Sequence, residues 1–170
     1  MSSPIPVSKT FVVTGAQARE VESYVGKRAR CIRQGKLLGT GHAVRRAAPL
    51  YQNIKGDLLV LYGDSPLLRS QTLRALKQLH RLSGTAATLL TATLEDPFGY
   101  GRVVRKPDGR IVRIIEEWDA NEDLRKIREV NSGVYLFRIA DLLPALKALR
   151  PNNVNGHYYL TDTVQWLLEQ

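Results

Sequence analysis

Apolar positions along this chain fall into short runs separated by turn formers. Leu58-Leu59-Val60-Leu61-Tyr62 is uninterrupted and stops at Gly63-Asp64-Ser65-Pro66. A run of that length, without alternation, predicts a strand buried on both faces, the usual state in a parallel sheet. Further strands are predicted over Thr10–Thr14, Arg30–Gln34, Ala86–Leu94 and Val134–Phe137. Asp108-Gly109 between Arg102–Arg105 and Arg110–Glu116 predicts a hairpin. Helical spacing predicts Ala16–Lys27, with Val21 and Val25 on one face, and Ser70–Leu82, with Leu73, Leu76 and Leu79 as its stripe. Ile139–Leu149 and Thr161–Leu168 are the last two helices. Another begins at Thr40, a candidate N-cap, and ends near Pro49; Ser70 is a second candidate cap. Strands alternating with helices predict a single α/β layer fold without internal repeats.

Composition narrows the class. The 170 residues suffice for one domain with its own core, and 44% hydrophobic with 24% charged residues is ordinary for a globular protein. No apolar run is long enough to span a bilayer. Met1 to Pro6 lacks the basic and apolar regions of a signal peptide, and Cys31 is the only cysteine. Both features predict a cytoplasmic protein without membrane association. The net charge is +9, and no acid falls between Glu22 and Asp57, where Lys27, Arg28, Arg30, Arg33, Lys36, Arg45, Arg46 and Lys55 lie. Such a field suits phosphates or is a solvated basic face. The stretch lacks interleaved aromatics, and no nucleic-acid partner is expected.

Four constellations could carry chemistry. Asp64 follows the apolar strand, where open α/β sheets bind ligands. One carboxylate there can hold Mg²⁺ beside substrate phosphates and water, or it can cap a turn with Ser65-Pro66. Leu38-Gly39-Thr40-Gly41-His42-Ala43 lets backbone approach a ligand at a helix start, or is a tight turn. Asp96-Pro97-Phe98-Gly99-Tyr100-Gly101-Arg102 can lie against a flat ring, or is a simple connection. Ile115-Glu116-Glu117-Trp118-Asp119, followed by Glu129-Val130-Asn131-Ser132-Gly133, offers a carboxylate and an amide near strand ends. Those groups suit sugar hydroxyls and an acetamido group, or form an acidic surface patch with a turn asparagine.

Taken in order, these segments resemble the N-terminal uridyltransferase domain of the bifunctional N-acetylglucosamine-1-phosphate uridyltransferase/glucosamine-1-phosphate acetyltransferases. Gln34, Leu61–Leu67 and Gly156-His157-Tyr158-Tyr159-Leu160-Thr161-Asp162 extend the match, which runs from about Thr10 to the end. The resemblance implies an α/β, Rossmann-like mixed sheet of the nucleotide-diphospho-sugar transferase type. It implies that Gln34, Gly39 and Thr40 read a uracil ring, that Tyr62 and Gly63 line the nucleotide pocket, and that Asp64 holds Mg²⁺. Gly101, Glu116 and Asn131 would hold the N-acetylglucosamine moiety. The implied reaction joins UTP and N-acetylglucosamine 1-phosphate into UDP-N-acetylglucosamine, a peptidoglycan precursor, and pyrophosphate.

Members of that family open on a strand running into a glycine-rich Leu-x-x-Gly-x-Gly-x-Arg loop and a lysine, which wrap the triphosphate. The 170 residues contain no such segment, no second metal-ligand asparagine and no hexapeptide repeats of a left-handed β-helix. The expectation is a single partial nucleotidyltransferase domain over 1–170, lacking a central strand between Thr10–Thr14 and Leu58–Tyr62. Catalysis is expected to be impaired and stability marginal, and the chain is expected to be monomeric. The alternatives are a non-catalytic nucleotide-sugar binding relic, or a transferase for another NTP or sugar phosphate.

Overall fold

The computed structural model describes residues 7–170; the signal-peptide reading falls on Met1–Pro6, outside the described residues. Seven strands and six α-helices follow in the order β1 (Phe11–Thr14), α1 (Ala18–Val25), β2 (Arg30–Arg33), α2 (Thr40–Tyr51), β3 (Asp57–Val60), α3 (Ser70–Ser83), β4 (Ala87–Thr93), β5 (Arg102–Arg105), β6 (Ile111–Ile115), α4 (Glu122–Arg125), β7 (Glu129–Arg138), α5 (Ile139–Ala148) and α6 (Thr161–Leu168). The fold is mixed α/β, with one parallel pair and the remaining pairs antiparallel.

β7 organises the molecule. It pairs with β3, β4 and β5, and β6 completes the five-stranded sheet through β5. Its side chains alternate between two apolar layers, as the pleat requires. Tyr135 and Phe137, stacked with ring centroids 5.3 Å apart, face a core built with Tyr51 of α2, Leu142 and Leu146 of α5, and Val164 of α6. Val134 and Leu136 face the other way, onto Leu76 and Leu73 of α3. The sheet is thus sandwiched between α2, α5 and α6 on one face and α3 on the other.

β1 and β2 form a separate two-stranded sheet. Phe11 and Val13 of β1 nevertheless pack on the same core as Leu58 and Val60 of β3. Among the described residues no strand joins the two sheets.

The strand at Leu58–Tyr62 departs from the sequence reading. It is shorter, Asp57–Val60, and runs antiparallel to β7 rather than within a parallel sheet. It is half-buried, and Leu61 is exposed, because only one of its edges is paired among the described residues. Other elements shift for local reasons. α1 begins only at Ala18, after Gln17 in the left-handed region, and none of its residues is buried. Thr40 is the first helical residue and Gly39 the cap; Ser70 likewise follows its cap, Arg69. On α3 the buried positions are Leu76 and His80, while Leu79 is exposed. β7 extends back to Glu129 and so includes the Asn131 segment, expected near a strand end. The one-turn helix α4, capped by the Asn121 side chain, has no apolar periodicity to announce it.

Candidate functional site

A row of three residues crosses one end of the main sheet. Arg102, the first residue of β5, stands opposite Ile115 of β6 and Val130 of β7. One step beyond that register line lie Gly101, Glu116 and Asn131. The Asn131 amide donates to the Gly101 carbonyl at 2.8 Å. A Cβ on Gly101 would stand 3.2 Å from Oε2 of Glu116, so the carboxylate lies directly over this backbone. The sequence reading placed these three at a sugar, and antiparallel pairing brings them together.

Each group in the row is oriented. Oδ1 of Asn131 accepts from the Gly133 amide at 3.1 Å, which leaves the side-chain NH₂ as a donor. Thr161 Oγ1 donates to Oε1 of Glu116 at 2.9 Å. Burial pushes the Glu116 carboxyl above the usual carboxylate range; the Thr161 hydrogen bond opposes this, and the Asp119 charge adds to it. Asp162, beside Thr161, is pushed up to about 6 by burial and by the charges of Glu116 and Asp119.

Tyr62 links this row to the α2 end of the site. Its ring lies on Gly133, whose φ of 76° belongs to the left-handed region; a Cβ there would stand 2.4 Å from the ring. Burial pushes the Tyr62 hydroxyl up to about 12, with the nearby Thr40 and Tyr135 hydroxyls acting in the opposite sense and the Glu116 charge adding to the rise. Tyr135 is buried as well, and its hydroxyl makes no hydrogen bond of ordinary geometry. Tyr62, Glu116 and Asn131 all interact with it.

The start of α2 is built around Gly39, at φ 98°. A Cβ there would stand 2.7 Å from the Tyr158 carbonyl oxygen. The Tyr158 carbonyl accepts from the Gly41 amide, and the Tyr158 amide donates to Leu38, both at 2.8 Å. Thr40 Oγ1 accepts from the Leu160 amide at 3.0 Å. Gln34, just past β2, donates through Nε2 to the Gly39 carbonyl at 2.9 Å and to His42 Nδ1 at 3.0 Å. His42 is therefore the neutral tautomer protonated on Nε2; burial, then Arg45 and Arg46, holds its pKa below the ordinary value. The Gln34 side-chain oxygen remains free to accept.

Asp64 stands apart. It is exposed, in a turn four residues beyond the end of β3, and its hydrogen-bond partner is the neighbouring Ser65 hydroxyl at 3.4 Å. Asp64, expected directly after the strand where ligands bind, thus sits on the surface, and the residues around it, Gly63 to Leu67, are all exposed. Among the described residues no cluster of three or more His, Cys, Asp or Glu could hold a metal. A single unpaired carboxylate fits a Mg²⁺ ion that draws its other ligands from phosphates and water.

Thr161, Tyr135 and the Arg102–Glu117 ion pair received no role from the sequence. Thr161 and Asp162 stand within the quoted Gly156–Asp162 motif, yet only the fold brings them to Glu116. The basic stretch is partly committed: Arg33 holds Glu22 through two bonds of 2.8 and 2.7 Å, and Arg45 lies over the Tyr158 ring at 4.3 Å.

A family model described as nucleotidyl transferase matches residues 7–170. The chain belongs to the nucleotidyl transferase family. This nucleotidyltransferase domain is 45% identical over 163 residues to the bifunctional protein GlmU of Geobacillus thermodenitrificans, covering 96% of the chain and 36% of that protein. It is 46% identical over 159 residues to GlmU of Pelotomaculum thermopropionicum, covering 94% and 35%. The chain thus spans about a third of the length of the curated relatives it matches. A solved glucose-1-phosphate thymidylyltransferase (putative) from Bacillus anthracis superposes with a TM-score of 0.72 at 20% identity, covering 94% of this chain and 63% of that one. A UDP-glucose pyrophosphorylase complexed with UDP-glucose superposes at 0.69 and 16% identity, covering 94% and 69%. These two likenesses establish the nucleotidyltransferase fold alone.

Proposed function

We propose that the domain binds a uridine nucleotide against Gln34, Gly39 and Thr40, and an N-acetylated sugar on Gly101, Glu116 and Asn131. The reaction it serves is UTP plus N-acetylglucosamine 1-phosphate giving UDP-N-acetylglucosamine and pyrophosphate. The observation that carries this reading is the convergence of Gly101, Glu116 and Asn131 on one row, with Tyr62 set on Gly133 between that row and α2. The GlmU relatives support the sugar-phosphate class.

The chemistry of each group suits its task. The free oxygen of Gln34 accepts the N3–H of uracil; cytosine presents a lone pair at that position and is disfavoured. Glu116 accepts from sugar hydroxyls, and the Asn131 NH₂ donates to a carbonyl or hydroxyl oxygen. The sugar phosphate attacks the α-phosphorus of UTP in line and pyrophosphate leaves. No covalent enzyme intermediate is needed, so the protein acts by positioning. Asp64 would hold Mg²⁺, which would supply charge neutralisation at the phosphates.

No glycine-rich triphosphate loop occurs in the 170 residues. A single well-placed donor to a developing charge is worth about 2.7–4 kcal/mol of barrier. The isolated chain therefore turns over far below the ordinary ~1–10³ s⁻¹. It acts as a monomer outside the membrane, with no nucleic-acid partner.

A thermal-shift panel tests the reading. With Mg²⁺ present, UTP and UDP-N-acetylglucosamine raise the Tm more than CTP, ATP, GTP or UDP-glucose. Equal shifts across the panel would remove the assignment. Pyrophosphate release from UTP and N-acetylglucosamine 1-phosphate measures the turnover, and an ordinary rate would overturn the impairment.

A further inference from the structure

Beneath the Gly101–Glu116–Asn131 row lies a buried ion pair. Arg102 is 2% exposed and Glu117 5%. Arg102 Nη2 stands 2.7 Å from Glu117 Oε2. The same carboxylate accepts from the Gly99 amide at 3.1 Å and meets Arg125 Nε at 3.4 Å. The Arg102 guanidinium also donates to the carbonyls of Tyr100 and Arg125. Burial alone would raise the Glu117 carboxyl, yet Arg102, Gly99 and Arg125 together hold it below the usual carboxylate range.

The placement of this pair has a consequence for the row above it. Arg102, the first residue of β5, follows Gly101, and Glu117, the first residue of the 3-10 turn Glu117–Asp119 after β6, follows Glu116. Their buried side chains meet at 2.7 Å. The ion pair thus fastens together the two segments that carry Gly101 and Glu116. Through Tyr100 and Gly99 the pair also holds the loop that leads into Gly101. Removing either charge leaves its partner buried and unpaired, so the segments must shift apart to reach water.

We infer that Arg102 and Glu117 are positioning residues for sugar recognition: their ion pair sets the spacing between Gly101 and Glu116, and so selects for the sugar of a nucleotide sugar without touching it. This rests on the reading of the row as the sugar site. The pair leaves uridine binding alone, since Gln34, Gly39 and Thr40 stand on other elements.

Calorimetric titration of the full 170-residue chain with UDP and with UDP-N-acetylglucosamine separates the two roles. Wild-type chain binds the nucleotide sugar more tightly than UDP. Glu117→Gln and Arg102→Lys shrink that preference about tenfold or more, while the Kd for UDP changes less than about threefold. Arg102→Lys retains the charge but loses the planar fork, so its failure to restore the preference marks geometry as the cause. A wild-type chain that binds both ligands equally would remove the sugar-site reading itself. A wild-type preference kept intact by both variants would overturn this inference alone. A measurement on unaltered protein covers variants that do not fold: the Arg102 Nε–H resonance shifts on adding UDP-N-acetylglucosamine and not on adding UDP. Identical shifts with both ligands would reduce the pair to structural support and overturn the inference.

Discussion

Thr161 donates its hydroxyl hydrogen to Glu116 at 2.9 Å, joining the start of α6 to the end of β6 across 45 positions of sequence. The bond offsets part of the cost of burying the Glu116 carboxyl. In Thr161→Val the carboxyl loses that donor, and its titration midpoint rises further. Side-chain carboxyl NMR of Glu116 reads the change directly. A buried hydroxyl is also lost, so stability falls by about 1–2 kcal/mol, measured by urea unfolding. An unmoved midpoint would show that the hydroxyl does not support the charged form.

Gly133 and Tyr62 form a second close relationship. At φ 76°, with the Tyr62 ring where a Cβ would stand, Gly133→Ala is strained twice over. The strained backbone alone costs about 1–3 kcal/mol. Displacing the Tyr62 ring adds to this. Urea unfolding should show a loss of at least that size, and the tyrosine resonances should report the moved ring. Gly99→Ala also has a positive φ but open space around its Cβ, and should cost less.

Asp162 predicts a pH dependence. Its carboxyl is raised from 3.8 to about 6 in the folded chain, by burial and then by Glu116 and Asp119. Between those two values the native state holds a proton that the unfolded state has released. Stability from this group is therefore present at low pH and falls as pH rises through that window. Asp162→Asn removes the dependence. The stability of the variant relative to wild type should increase from pH 4 to pH 7, by urea unfolding at each pH. Glu117, whose carboxyl is held low, contributes with the opposite sign and is common to both proteins. A flat difference would show that Asp162 titrates normally.

Asp64 is exposed, so Asp64→Asn should leave stability within about 0.5 kcal/mol of wild type. On the proposed reading, its effect falls on Mg²⁺. Mg²⁺ should tighten UTP binding to wild-type chain and have much less effect on the variant, measured by calorimetry with and without the ion. A variant that keeps the full Mg²⁺ enhancement would place the metal elsewhere.

What the sequence disclosed, and what it did not, follows from which forces act locally. Asp108-Gly109 announced the β5–β6 hairpin, and helix spacing located α6 to the residue. Turn chemistry and periodicity are encoded within a few positions. The apolar run at Leu58–Tyr62 gave a strand but the wrong environment, because an edge strand and a central strand can share one composition. Gly101, Glu116 and Asn131 stand in separate sequence motifs. Their meeting depends on the register of three strands, which no one segment contains. Thr161, Arg102 and Glu117 went without roles for the same reason. Each acts through a partner brought close by the sheet or by the docking of α6. Asp64 was identified by its position after a strand, but its exposure depends on what packs around it.

The central claim is that one site recognises both a uridine nucleotide and an N-acetylated sugar. Competition calorimetry of the wild-type chain with UDP, UDP-glucose and UDP-N-acetylglucosamine, in Mg²⁺, tests it most directly. The account predicts that UDP-N-acetylglucosamine binds most tightly, that UDP displaces it competitively, and that Glu116→Gln erases the sugar preference without weakening UDP. Equal affinity for all three ligands, or a preference untouched by Glu116→Gln, would contradict it.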